Sequence, residues 1–286
     1  MTTAVEQRGS GPTGTAPTAD GPPALGRRDR LRQQTLRELE LAALAEVREH
    51  GPVALSLRRV ARRMDMSPAG LYRYVDSRED LLTLLITRAY DDLADHLCQA
   101  IGLPPEALRN ATAIGSAGPA AEKASAPPPT VAGPDADVAD RLRAVALAYR
   151  AWSVAHPNEF GLIFGDPIPD YEAPAGGPTV AAMTRVGLAL ATPLIEAWHQ
   201  GRLRIHPALE VPELAGPLAE MAKLDGGGLP PAAYGLLLLT WGRLHGQVSL
   251  EVFGHHHWLF PAGCEALYQA EITSMLADLG VTDRPS

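Results

Sequence analysis

Residues 56–82, SLRRVARRMDMSPAGLYRYVDSREDLL, constrain the fold of this chain more than any other stretch. Leu57, Val60, Ala61 and Met64 recur at i, i+3, i+4 and i+7, one apolar face of a two-turn helix. Only Met64, Asp65 and Met66 separate that helix from the next, which leaves room for nothing but a sharp reversal. Asp is among the few non-glycine residues that tolerate the left-handed conformation such a turn often needs. Ser67 then offers an N-cap hydroxyl, and Pro68 takes the first helical position, where its missing N–H costs nothing. Helix, short turn and second helix is the helix-turn-helix arrangement, whose second helix enters the DNA major groove. The pattern predicts a sequence-specific DNA-binding module.

The formal net charge of −8 would by itself argue against a nucleic-acid partner. The charge is unevenly spread, however. Residues 27–88 hold 13 Arg and no Lys against 9 acids, a net +4, whereas residues 89–286 hold 11 bases against 22 acids, a net −11. A basic N-terminal module on an acidic body is the asymmetry expected of a DNA reader joined to a second domain. The acidic body would repel phosphate and so help to orient the protein on the duplex.

Cys98 and Cys264 are two distant thiols, so neither a disulfide framework nor a zinc site is suggested. No apolar run approaches 18 residues and the N-terminus lacks a signal-peptide core, which predicts a soluble, cytoplasmic protein with no membrane partner.

Residues 1–26 are rich in Gly, Pro, Thr and Ala and cannot offset their own ordering entropy, so a disordered tail is expected there. The same composition returns over 104–137, read as a flexible loop between two helices. Elsewhere the pattern is helical. A first helix over 29–50 has Leu36, Leu39, Leu44 and Val47 as inward candidates and stops at Gly51-Pro52. A long helix over 78–101 follows Ser77, which opens a capping-box-like Ser-Arg-Glu-Asp. Further helices are expected at about 138–156, 158–164, 179–201, 211–223, 231–253 and 263–279. The fold class is therefore all-α. A helix-turn-helix domain is expected over 27–77 and a helical effector-binding and dimerisation domain over 78–286.

Once the helix-turn-helix is placed, Ala69-Gly70-Leu71-Tyr72-Arg73-Tyr74-Val75 followed by Ser77-Arg78-Glu79-Asp80-Leu81-Leu82 resembles the signature of the TetR family of transcriptional regulators, over roughly residues 30–82. Asp65 stands where that family usually has a turn Gly, and Val75 where Phe is common. Ala151-Trp152, His156-Pro157-Asn158-Glu159-Phe160 and Phe164-Gly165, with Thr240-Trp241-Gly242-Arg243-Leu244-His245-Gly246, are similar to the WHG variant of the family's C-terminal domain. The resemblance implies a homodimer whose C-terminal domain binds a small molecule that lowers DNA affinity.

Several residues of the module have chemistry suited to DNA. Pro68, Ala69 and Gly70 present almost no side chain, and a helical Gly costs up to about 1 kcal/mol relative to Ala. Close approach of backbone to DNA would offset that cost; relief of packing against the preceding helix is the other reading. Tyr72 and Tyr74 suit phosphate contacts, while Leu71 and Val75 share the inner face. Arg73 can bond guanine bidentately or meet a phosphate instead. By the resemblance, Arg58 lies where family members commonly touch DNA, and Ser56 and Arg78 match positions that grip phosphate. Arg62 and Arg63 read as solvated surface.

Tyr149, Trp152, His156, Phe160, Phe164, Trp198 and Trp241 are candidates for an aromatic-lined effector pocket, although any one of them could be ordinary core. His245 reads as a satisfied core histidine. His255–His257 read as an inter-helix loop rather than a metal site, since consecutive residues cannot easily all face one ion. No nucleophile elbow, phosphate loop or HExxH motif occurs, so no catalysis and no cofactor are expected. The helices at 231–253 and 263–279 are apolar enough to need cover on more than one side, and the expected dimer forms through them. The expected output is repression released by a small-molecule effector. The alternatives are an activator or ligand-independent regulator of the same fold, or an enzyme that keeps a vestigial helix-turn-helix.

Overall fold

The computed structural model describes residues 26–111, 131–133, 135–224 and 229–281. The tail expected over 1–26 falls almost wholly outside them, as does most of the loop expected over 104–137. The described residues form eleven α-helices and one 3-10 turn, with no strand among them.

The first four helices carry the helix-turn-helix. α1 (Arg27–His50) ends where Gly51 takes φ +78°, a conformation few side chains tolerate, and the Gly51 N–H caps the Val47 carbonyl at 2.8 Å. α2 (Leu57–Arg63) buries Val60 and Ala61 completely, with Leu57 and Met64 packed beside them. Asp65 does adopt the left-handed backbone, at φ +53°. α3 (Pro68–Leu71) begins on the Ser67 hydroxyl, which accepts from Gly70 N–H at 3.1 Å. α4 (Arg78–Ala100) begins in the same way on Ser77, which accepts from Asp80 N–H at 3.0 Å. Leu71 and Val75 seat the recognition segment on the core, as their shared face predicts. Leu39 and Val47 of α1 are buried, whereas Leu36 and Leu44 are only half-buried.

At 1.5 Å per residue the 23 residues of α4 extend about 34 Å, enough to pass from the DNA-binding module into the second domain. Leu82, Leu85, Ala89, Leu93 and Leu97 are all buried along it. α4 packs on α1 at one end and on α6 (Val138–Ala155), α7 (Pro157–Phe164) and α8 (Pro178–His199) over the rest, with α8 its most extensive partner. By length and composition α8 could cross a membrane, although no uninterrupted apolar run stood out in its sequence. One side of it is buried here: Arg185, almost fully buried, pairs with Asp91 and Asp95 of α4.

The segment expected to be loop over 104–137 opens instead with a two-turn helix, α5 (Pro105–Ala111). It is held to α4 by Arg109, which donates to Asp95 at 2.6 Å. Its composition carried no periodic signal because tertiary contacts, rather than propensity, sustain so short a helix. α9 (Pro212–Leu224), α10 (Pro231–Val252) and α11 (Glu265–Leu279) complete the second domain.

Candidate DNA-binding face and effector core

The helix-turn-helix exposes one face. Arg58, Pro68, Ala69, Tyr72 and Arg73 are exposed, and Ser56 and Gly70 are partly so. Among the described residues Arg58, Arg62 and Arg73 have no carboxylate partner, so their charges are available to phosphate or base edges. Arg63 is different, donating to Glu49 at 2.7 Å. Two predicted contact residues are also engaged elsewhere. Tyr74 is half-buried, with the Arg32 guanidinium 5.6 Å above its ring. Arg78 turns inward: its Nε donates to the Leu55 carbonyl at 3.2 Å, and its Nη2 to the carbonyls of Pro52 at 3.2 Å and Val53 at 3.0 Å. Arg59, which the sequence did not single out, donates to Ala54 O and to the buried carboxylate of Glu46. Arginines look alike in sequence; Arg59 is consumed by a loop carbonyl five residues away, and Arg78 by carbonyls 23 to 26 residues away.

The second domain gathers its rings around α10. Trp241, His245, Ser249 and Phe253 follow one another at intervals of four and so share a face. Against that face lie Tyr149 of α6 and Phe160 and Phe164 of α7. Tyr149 sits 5.2 Å from Trp241 and 6.5 Å from Phe160, and Phe164 meets Trp241 at 5.7 Å. His245 is the centre: it stacks on Trp241 at 4.8 Å and on Phe160 at 5.7 Å, with Phe164 edge-on at 4.9 Å. Tyr90 of α4 closes one side at 5.8 Å from Phe164, and half-exposed Phe253 the other at 5.7 Å from Phe160.

Both ring nitrogens of His245 are occupied, Nδ1 with the Tyr149 hydroxyl at 2.7 Å and Nε2 with Ser249 Oγ at 3.2 Å. Burial holds the His245 pKa below its ordinary value and pushes that of Tyr149 upward, both favouring neutral forms. This is the satisfied histidine that the sequence suggests, now placed inside the candidate pocket. Ser249 and His245 do not amount to a hydrolytic pair. Ser249 lies within α10, where the helix consumes the backbone N–H groups an oxyanion would need.

The remaining pocket candidates divide. Trp152 and His156 stack on each other at 5.0 Å, and Trp152 Nε1 donates to Asp92 of α4 at 2.8 Å, fixing α6 to the long helix beside the ring cluster. Trp198 stands apart from the rings. It packs on α8 against a satellite core of Leu218, Leu229, Ala233 and Tyr234. Tyr90 and Phe253 are the members that the sequence reading missed; the four-residue spacing along α10 could have found Phe253. A separate surface hollow of about 530 Å³ at the start of α6 is lined by Asp135, Asp137, Gln200 and Arg202, without an aromatic residue.

A basic helix-turn-helix joined by one long helix to a larger helical domain defines a DNA-binding transcriptional regulator. Residues 41–85 match the model for bacterial regulatory proteins of the tetR family, and residues 142–275 that for the tetracyclin repressor-like C-terminal domain. The chain belongs to the TetR family of transcriptional regulators. It is 28% identical over 232 residues to the HTH-type transcriptional regulators Rv1816 of Mycobacterium tuberculosis and Mb1846 of Mycobacterium bovis, covering 81% of this chain and 86% of each of theirs. Among solved structures it is similar to SCO4313, described as a regulatory protein, with 28% identity and a TM-score of 0.58 over 88% of this chain and all of that one. A protein of unknown function from Rhodococcus sp. RHA1 shares the fold, at 18% identity and a TM-score of 0.55 over 93% of this chain and all of that one.

Proposed function

We propose that this regulator is a homodimeric, cytoplasmic repressor that acts by binding and not by chemistry, and that a small-molecule effector releases it from its operator. The observation that carries this reading is the position of α7. Its Phe160 and Phe164 belong to the ring cluster, while its Glu159 ion-pairs with Arg48 in α1. A ligand entering beside Phe164, Trp241 and His245 would displace α7 and draw on α1, shifting the recognition segment. Tyr149 and Trp152 with His156 would form the α6 wall of that pocket, and Trp198 would take no part.

On the DNA side, Arg73 and the small-residue surface of Pro68, Ala69 and Gly70 would read base edges. Ser56, Arg58, Tyr72 and the edge of Tyr74 would set register on phosphates, which positions a protein without specifying sequence. Dimerisation through 231–253 and 263–279 is supported by two exposed stripes. On α10, Leu239, Gly242 and Leu250 face outward, with Gly246 partly exposed between them; on α11, Ala266, Ala270, Thr273 and Ala277 face outward too. Small residues on facing helices allow close approach in a four-helix interface.

The decisive measurement is calorimetric ligand affinity with and without an operator duplex. By linkage the duplex should weaken ligand binding by the same factor that ligand weakens DNA binding, with about 1–3 kcal/mol of coupling usual in allosteric proteins. Equal affinities would reject effector release.

A further inference from the structure

The basic module has more guanidinium groups than its DNA face exposes, and two of them are used on its own backbone. The link between α1 and α2, residues 51–56, follows a helix and precedes another without regular structure of its own. Its four carbonyls from Pro52 to Leu55 all accept from arginine: Pro52, Val53 and Leu55 from Arg78, and Ala54 from Arg59. Arg78 has one nitrogen, Nη1, outside these bonds. Nε and Nη2 make these bonds, and Nη1 lies 3.9 Å from the carboxylate of Glu79, which would repel a phosphate placed there. Its side chain is only 24% exposed.

Arg78 is the first residue of α4, and the link it grips leads directly into Ser56 and Arg58 at the start of α2. We infer that Arg78 is a positioning residue: it fastens the entry of α2 to the first turn of α4, so that the DNA face follows α4, and it makes no contact with DNA itself. A planar guanidinium suits this task because its donors fan out in one plane toward several carbonyls, which a single ammonium cannot match.

The test compares full-length wild type with Arg78→Ala on two duplexes, one selected by the wild type from a random library and one of random sequence and equal length. Affinity is measured across a salt series, and thermal melting checks folding. The inference expects Arg78→Ala to lose about tenfold on the selected duplex, the scale of one specific contact. It also expects unchanged affinity for the random duplex and a wild-type salt slope. A loss on both duplexes with the slope reduced by about 0.9, the signature of one missing phosphate contact, would overturn it. So would wild-type binding to both.

If Arg78→Ala fails to fold, Arg78→Lys decides, because it keeps the charge and removes the fork. Weakened binding to the selected duplex alone supports positioning. Wild-type affinity for both duplexes overturns it, since a phosphate contact needs only the charge.

Discussion

Arg48, in the last turn of α1, ion-pairs across the domain boundary with Glu159, in the first turn of α7. Each charge sits where its own helix dipole favours it, a cation at a C-terminus and an anion at an N-terminus. The two partners are unequally placed: the Glu159 side chain is 8% exposed and that of Arg48 50%. Glu159 Oε2 has no hydrogen-bond partner among the described residues, so Arg48 is the main compensation for a buried carboxylate. Arg48→Ala should therefore cost about 1–3 kcal/mol, less than a fully buried pair because water reaches the arginine. The double variant Arg48→Ala with Glu159→Gln should recover part of that loss. Strictly additive costs in urea denaturation would show that the two side chains do not interact.

The ring cluster makes a second stability prediction. Phe160 is fully buried among Tyr149, Phe164, His245 and Phe253. Phe160→Ala should cost about 3–5 kcal/mol, the range for emptying a large aromatic site. Trp198→Phe, in the satellite core, should leave ligand binding unchanged. A ligand affinity that tracks Trp198 rather than Phe164 would place the pocket elsewhere.

His245 predicts an acid limb. Its pKa lies below the ordinary 6.5 because burial penalises the imidazolium. The unfolded chain then binds this proton more readily than the folded one, so stability falls as pH drops below about 6.5 and levels off beneath the folded-state pKa. His245→Gln should flatten that part of the curve when unfolding midpoints are compared from neutral to mildly acid pH. An unchanged difference between the two pH extremes would mean that His245 binds its proton equally well in the folded and the unfolded chain.

Gly242 and Gly246 of α10 separate dimerisation from folding. A Cβ built at Gly242 or Gly246 meets nothing within 4 Å in the protomer. Gly242→Leu should thus leave the protomer folded, since replacing a helical glycine gains up to about 1 kcal/mol. Sedimentation should nonetheless show a shift from dimer to monomer, together with loss of operator binding. A variant that remains dimeric would remove this face from the interface.

For DNA, Arg73→Ala should cost about 1–3 kcal/mol and relax preference at one operator position, whereas Arg58→Ala should weaken all sequences alike and lower the salt slope by about one unit. Selection from a random duplex library with each variant distinguishes the two. A uniform loss at Arg73 would assign it to a phosphate.

The local grammar of the module was legible in the sequence. The left-handed Asp65, the caps of Ser67 and Ser77, the stop at Gly51 and the buried faces of α2 and α4 each involve residues a few positions apart, where backbone geometry and helical period leave few options. Tertiary structure decided everything that joins distant segments. It turned Arg78 inward onto the Pro52, Val53 and Leu55 carbonyls, set Tyr74 beneath Arg32, and sustained α5 where composition suggested only loop. It also brought His245 into the ring cluster and left Trp198 outside it. An arginine or an aromatic residue carries the same propensity wherever it stands. Whether it meets DNA, ligand, carbonyl or core depends on the partner that packing supplies, and that partner lies many residues away.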